Sequence, residues 1–234
     1  PLYSSAASDV YKRQVLGVVI ERVAYKPLRN ASSLSVLITA IGVSYLLQNL
    51  ALNILGSNAR TFKSVVSLKT IEINSQLKIS GEAVVTIIVT VVIMVALTLF
   101  INKTKTGMAM QAVSEDKGAA QLMGINVNKT ISIVFAIGSG LAAVAGILLC
   151  STFTQVSPYT GSMPGIKAFI AAVFGGIGSI PGAMIGGILL GIIENLSKAY
   201  ISTQVADAIV FASLIIVLIL KPTGLLGKKI NEKV

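Results

Sequence analysis

The chain has no histidine, a single cysteine among 234 residues, and only 9 acidic residues against 19 Lys and Arg. Each scarcity removes a class of chemistry. Without imidazole, His-based acid-base catalysis and the common His-ligated metal sites are excluded. The lone Cys150 lies inside an apolar run, which excludes a disulfide framework and a cysteine metal site. No stretch reads GxxxxGK[ST], the tail KPTGLLGKK included, so the chain carries no P-loop motif. With no catalytic constellation left to assemble, a membrane-embedded enzyme is disfavoured.

What the chain does have is apolar surface. Hydrophobic residues make up 54% of it, charged residues only 12%, and the mean hydropathy is +0.84. That composition belongs to a protein dissolved in a lipid bilayer. The net charge of +10 is then read as topological, set in cytoplasmic loops against anionic head groups. Nucleic acid is disfavoured as a partner, because no basic stretch is interleaved with stacking aromatics.

Residues 1–14, PLYSSAASDVYKRQ, read as a non-native leader resembling translated adaptor sequence, and VLGVVI at 15–20 reads as the tail of a truncated helix. A bilayer core needs about 20 apolar helical residues. Leu34 to Leu55, Ala83 to Ile101 and Ile131 to Cys150 meet that need, and Val205 to Leu220 is a shorter candidate. Residues 166–193 are apolar for too long to be one span and are broken by GGIGSIPG, which predicts a discontinuous helical hairpin. SLKTIEINSQLKIS alternates as a small β-hairpin does. The expectation is an all-α integral membrane protein, a multispan helical bundle forming one domain over 15–234.

Lys and Arg set the orientation. Arg22, Lys26 and Arg29, then Lys103, Lys105, Lys117 and Lys129, then Lys221, Lys228, Lys229 and Lys233 place three segments, including the C-terminus, in the cytoplasm. The uncharged segment 151–165 belongs outside. Alternation puts 56–82 outside as well, although Arg60, Lys63, Lys69 and Lys78 count against it.

Segment 107–128, GMAMQAVSEDKGAAQLMGINVN, spaces Met110, Val113, Leu122 and Ile125 helically around a polar cluster at Ser114 to Lys117, with breaks expected at Gly118 and Gly124. It is either an amphipathic loop lying on the membrane surface or a docking helix for a soluble partner. Ser44, Tyr45, Gln48, Asn49 and Asn53 form one polar stripe, which either glues helices or lines a solute path. Gly178, Gly182, Gly186, Gly187 and Gly191 recur every four residues in two sets, as do Gly138, Ala142 and Gly146, a spacing read as helix packing. Lys167, Glu194 and Asp207 sit at outer ends of apolar runs and read as interfacial anchors or contacts for an external protein.

The run Ala119, Ala120 and Gly124 resembles the cytoplasmic coupling motif of ABC importer permeases, although many of these carry a Glu where this chain has Gly118. Together with ERVAYKPLR, AVSEDKGAAQLMGINV, AAVFGGIGSIPGAMIGG and KPTGLLGKK, it makes residues 15–234 similar to permeases for branched-chain amino acids of the LivH type. The resemblance implies a type II importer-like permease in a bacterial inner membrane. Its partners would be a homologous permease, two cytoplasmic ABC ATPases that bind ATP and Mg, and an extracytoplasmic amino-acid-binding protein. The chain itself would hold no cofactor. ATPase coupling would fall to Glu115, Asp116, Gly118, Ala119, Ala120, Gly124 and Ile125. Relatives on the same scaffold carry sugars, urea or amides, and an ATP-independent channel or secondary transporter is the remaining alternative.

Overall fold

The computed structural model describes residues 14–29, 31–61, 71–74, 77–153 and 155–227. The expected leader up to residue 13, Lys63 and Lys69, and the lysines beyond residue 227 lie outside the described residues. A helix over 14–20 (α1) runs into a π turn at Glu21–Tyr25 and a 3-10 turn at Lys26–Leu28. There follow α2 (Ser33–Leu55), α3 (Gly81–Lys103), α4 (Lys105–Glu115), α5 (Lys117–Leu122) and α6 (Val127–Thr152). Then come α7 (Ser162–Gly175), α8 (Ile180–Tyr200) and α9 (Ala206–Leu220). The short strands are β1 (Arg60–Thr61), β2 (Ile71–Asn74), β3 (Leu77–Ile79) and β4 (Gln155–Val156). The chain is an all-α integral membrane protein in which α2, α3, α6 and α8 are long and apolar enough to cross a bilayer.

Large apolar side chains point outward: Ile54 is 78% exposed and Ile219 76%, while Ala143, Ala206 and Val210 are among the few apolar positions fully buried. Water would reject that arrangement, whereas lipid tails accept it. Several hydroxyls within the spans bond their own helix. Thr86 donates to Glu82 O at 2.8 Å, Thr90 to Thr86 O at 2.7 Å and Ser151 to Ile147 O at 2.9 Å. Such bonds satisfy a hydroxyl where no water is available.

Two compact units divide the chain: Leu99–Thr160 with the described residues up to Val92, and Ile93–Thr98 with Gly161 onward. In the first, α1 lies against α6 so closely that a Cβ on Gly17 would meet Ser139 Cβ at 2.4 Å. The π turn delivers the buried Glu21 to Arg29, and Ser132 on α6 donates to the same carboxylate at 3.1 Å. β1 pairs antiparallel with β4, Arg60 opposite Val156 and Thr61 opposite Gln155, which brings these two stretches of the first unit side by side. β2 and β3 form the expected antiparallel hairpin.

In the second unit the predicted break falls at Gly176 to Ser179, with positive φ at Gly176 and Gly178. Ser179 then caps α8 by accepting from Gly182 N at 3.1 Å. Lys167 near the start of α7 pairs with Glu194 near the end of α8 and with Asp207 at the start of α9, both at 2.8 Å. The hairpin therefore starts and finishes at one end of the second unit. Its tip meets the tail beyond α9: Leu225 N donates to Phe174 O at 3.0 Å and Leu226 N to Gly175 O at 2.8 Å. A Cβ on Gly176 would meet Gly227 N at 2.3 Å. The hairpin thus reaches as deep as the end of α9.

The glycine stripe divides when its neighbours are seen. A Cβ on Gly182 would lie 2.5 Å from Gly175 O, and one on Gly186 2.4 Å from Ala171 O, so these two set the approach of α7 to α8. Gly187 has only an ordinary contact at 3.8 Å, and Gly178, Gly191 and Gly138 meet nothing within 4 Å. Their spacing matched the packing pattern, but these three lie off the contact face within the chain. Gly186→Leu is expected to cost about 1–3 kcal/mol or more by overpacking, read as a lowered thermal midpoint in detergent. Gly191→Leu leaves that midpoint nearly unchanged.

Candidate functional site

Segment 104–126 is built entirely from capped turns. Thr104 ends α3 and caps α4, its hydroxyl accepting from Gly107 N at 3.0 Å. Gly107 is required there, since a Cβ would collide with Ile101 Cα at 2.4 Å. The break between α4 and α5 falls at Asp116, not at the expected Gly118. Asp116 is extended, and its Oδ1 accepts from Gly118 N at 2.7 Å and Ala119 N at 3.0 Å. A carboxylate cap at a helix start outweighs the flexibility of a glycine two residues later. Gly118 accordingly lies inside α5.

Gly124 ends α5 as expected, at φ +81°. Gly124 N donates to Gln121 O at 3.0 Å and Ile125 N to Ala120 O at 3.1 Å, the paired bonds of a Schellman turn. Asn126 then caps α6 by accepting from Lys129 N at 3.0 Å. Within three residues one helix is closed and the next opened, so the turn is rigid without burying much.

Ala120 is buried, at 4% exposure, and Ile125 half-buried, while Glu115, Asp116, Gly118, Ala119 and Gly124 are exposed. Beside them stand Leu122, 90% exposed, and Met123, 82% exposed. Periodicity grouped Leu122 with Met110, Val113 and Ile125, and Met123 attracted no attention. The signal that could have found them was their position just before a C-terminal glycine, where a helix turns its last side chains away from its support.

On α2, Ser44, Tyr45, Asn49 and Asn53 are exposed and Gln48 half-buried. Gln48 donates to Ser44 Oγ at 3.2 Å and Asn49 to Tyr45 O at 2.8 Å. The stripe thus partly satisfies itself and stays largely exposed. The second unit gathers Lys167, Glu194 and Asp207, expected as separate anchors, into one ion-paired cluster that Lys198 joins through Glu194. Sequence spacing gave no sign of that meeting, because the three lie on different helices.

The family model described as branched-chain amino acid transport system / permease component matches residues 14–219. The chain is 48% identical over 221 residues to the high-affinity branched-chain amino acid transport system permease protein LivH of Escherichia coli (strain K12), covering 93% of this chain and 72% of that protein. It is 40% identical over 236 residues to the corresponding permease protein BraD of Pseudomonas aeruginosa, covering 100% and 77%. A probable LivH of Methanocaldococcus jannaschii is 30% identical over 223 residues, covering 91% and 69%. No solved structure matches the chain.

Removing the α5 cap should cost about 1 kcal/mol locally. In Asp116→Ala the amides of Gly118 and Ala119 are therefore expected to exchange with solvent roughly fivefold faster, whereas Asp116→Asn, which keeps an acceptor, stays near the native rate.

Proposed function

The chain belongs to the branched-chain amino acid transport permease family, and on that premise we propose how its parts divide the work of import. It is the permease subunit of a branched-chain amino acid ABC transporter, a multi-pass protein of the inner membrane. Segment 107–128 faces the cytoplasm and docks on a partner ATPase. The observation that carries this reading is the turn at 122–124, where a capped, rigid element holds two long apolar side chains almost wholly in the open. A soluble surface exposes such a pair at a cost unless a partner covers it.

Two cytoplasmic ABC ATPases bind ATP and Mg, and their closure displaces the turn. Leu122 and Met123 are the contacts that enter the ATPase surface, with Glu115, Asp116, Gly118, Ala119 and Gly124 around them. Ala120 and Ile125 act from behind, holding the turn to its support. Rigid-body tilting of the spans then opens the solute path alternately to each side.

That path runs along the α2 stripe of Ser44, Tyr45, Gln48, Asn49 and Asn53, across from a homologous permease subunit. Hydroxyl and amide groups suit a zwitterionic, apolar amino acid that must pass without being held. An extracytoplasmic binding protein delivers the substrate to the end marked by the segments at β1 and β4, and the C-terminus lies in the cytoplasm. The β1 and β4 pairing supports the shared end of those two segments.

The test is leucine-stimulated ATP hydrolysis by the full-length natural permease, reconstituted in liposomes with its homologous permease, ATPases and binding protein. Leu122→Ala combined with Met123→Ala is expected to lower that rate by roughly thirtyfold, the scale of a docking hot spot, with an unchanged thermal midpoint because both side chains are exposed. Full coupling in the double variant would remove the docking role.

A further inference from the structure

A second feature of the first unit lies apart from the turn at 122–124 and from the α2 stripe. Beside the Glu21–Arg29 pair opens a cavity of about 340 Å³, lined by Arg22, Lys26, Arg29 and Lys129 against the single carboxylate of Glu21. Arg29 holds Glu21 and donates to Asn128 Oδ1, which spends part of its fork. Among the described residues its Nε is buried with no hydrogen-bond partner. Arg22, Lys26 and Lys129 make no ion pair among the described residues and are exposed. The first turn of α6 enters the same cavity through Asn126, Asn128 and Lys129, adding the positive end of a 26-residue helix. Three uncommitted cations and a helix N-terminus on one hollow describe an anion site.

A second cavity of about 280 Å³ shares Arg29 with the first. Its walls are apolar: Leu28, Val36 and Ile131 with the rings of Tyr25 and Phe135, whose centroids lie 4.9 Å apart. Lys117 of the coupling segment stands at its rim. An inorganic anion has use for the first cavity only. A molecule with a charged head and an apolar stem would use both, with Arg29 where the two parts join.

We propose that this pair of cavities is a binding site for an anionic phospholipid, its phosphate held by Arg22, Lys26, Arg29 and Lys129 and the start of its acyl chain against Tyr25, Leu28 and Phe135. The position suits the ligand, since α2 and α6 are long enough to cross the bilayer and the cavities lie at one of their ends. The bound lipid bridges segment 21–29, α6 and Lys117 of α5, so it braces the support on which the coupling turn stands.

The test uses the full-length natural permease in phosphatidylcholine nanodiscs, titrated with a fluorescent short-chain phosphatidylglycerol. Saturable binding is expected in the native protein. Lys26→Gln combined with Lys129→Gln is expected to weaken it by roughly thirtyfold, about 1 kcal/mol for each charge removed. Lys103→Gln combined with Lys105→Gln, which removes the same charge away from the cavity, leaves it near the native value. Phe135→Ala weakens phosphatidylglycerol but not inorganic phosphate. Equal binding by the two double variants overturns the site. Full displacement of the lipid by millimolar inorganic phosphate, with Phe135→Ala without effect, overturns the lipid in favour of a soluble anion.

Discussion

Everything in this chain follows from one constraint: hydrocarbon admits a polypeptide only when its backbone is already hydrogen-bonded. The spans meet it as helices, and several of their hydroxyls bond back to their own carbonyls, as those of Thr86, Thr90 and Ser151 do. In the stretch between α3 and α6 the turns fall at helix ends, and each end carries its own cap. Thr104, Asp116, Gly124 and Asn126 are four such solutions in one short stretch. A turn satisfied by its own side chains needs little burial, which leaves Leu122 and Met123 free to face outward.

The second unit answers the constraint in another way. Its hairpin must break within an apolar stretch, and the break is tolerated because the tail closes over it, donating to Phe174 O and Gly175 O. Gly175, Gly182 and Gly186 let backbone lie on backbone where side chains would hold the helices apart. At the opposite end one lysine answers two carboxylates, so α7, α8 and α9 are tied together at both ends. A bundle tied in this way can tilt as a body, the motion that alternating access needs.

How much was legible depended on distance along the chain. Spans and the 175–182 break are written in runs of hydropathy and in glycine and proline, and they lie where the sequence puts them. The caps were half legible: Gly124 announced itself, but Gly118 drew attention that belonged to Asp116, because an aspartate before a helix is easily taken for mere solubility. The pairing of Arg60 with Val156, the Lys167 cluster and the Glu21–Arg29–Ser132 network were not legible, since each joins residues far apart through only one or two contacts. The cargo entered by resemblance alone, because no periodicity distinguishes a path for leucine from one for a sugar.

The central claim is that the turn at 122–124 and the paired segments near 60 and 155 lie on opposite sides of the membrane, with the turn inside. Single cysteines at Leu122 and Gln155, placed in a Cys150→Ser background of the full-length permease, can be labelled in intact spheroplasts with a membrane-impermeant maleimide. The account predicts labelling at 155 from outside and labelling at 122 only after the membrane is opened. Labelling of 122 from outside would contradict it, since no cytoplasmic ATPase could then reach the turn.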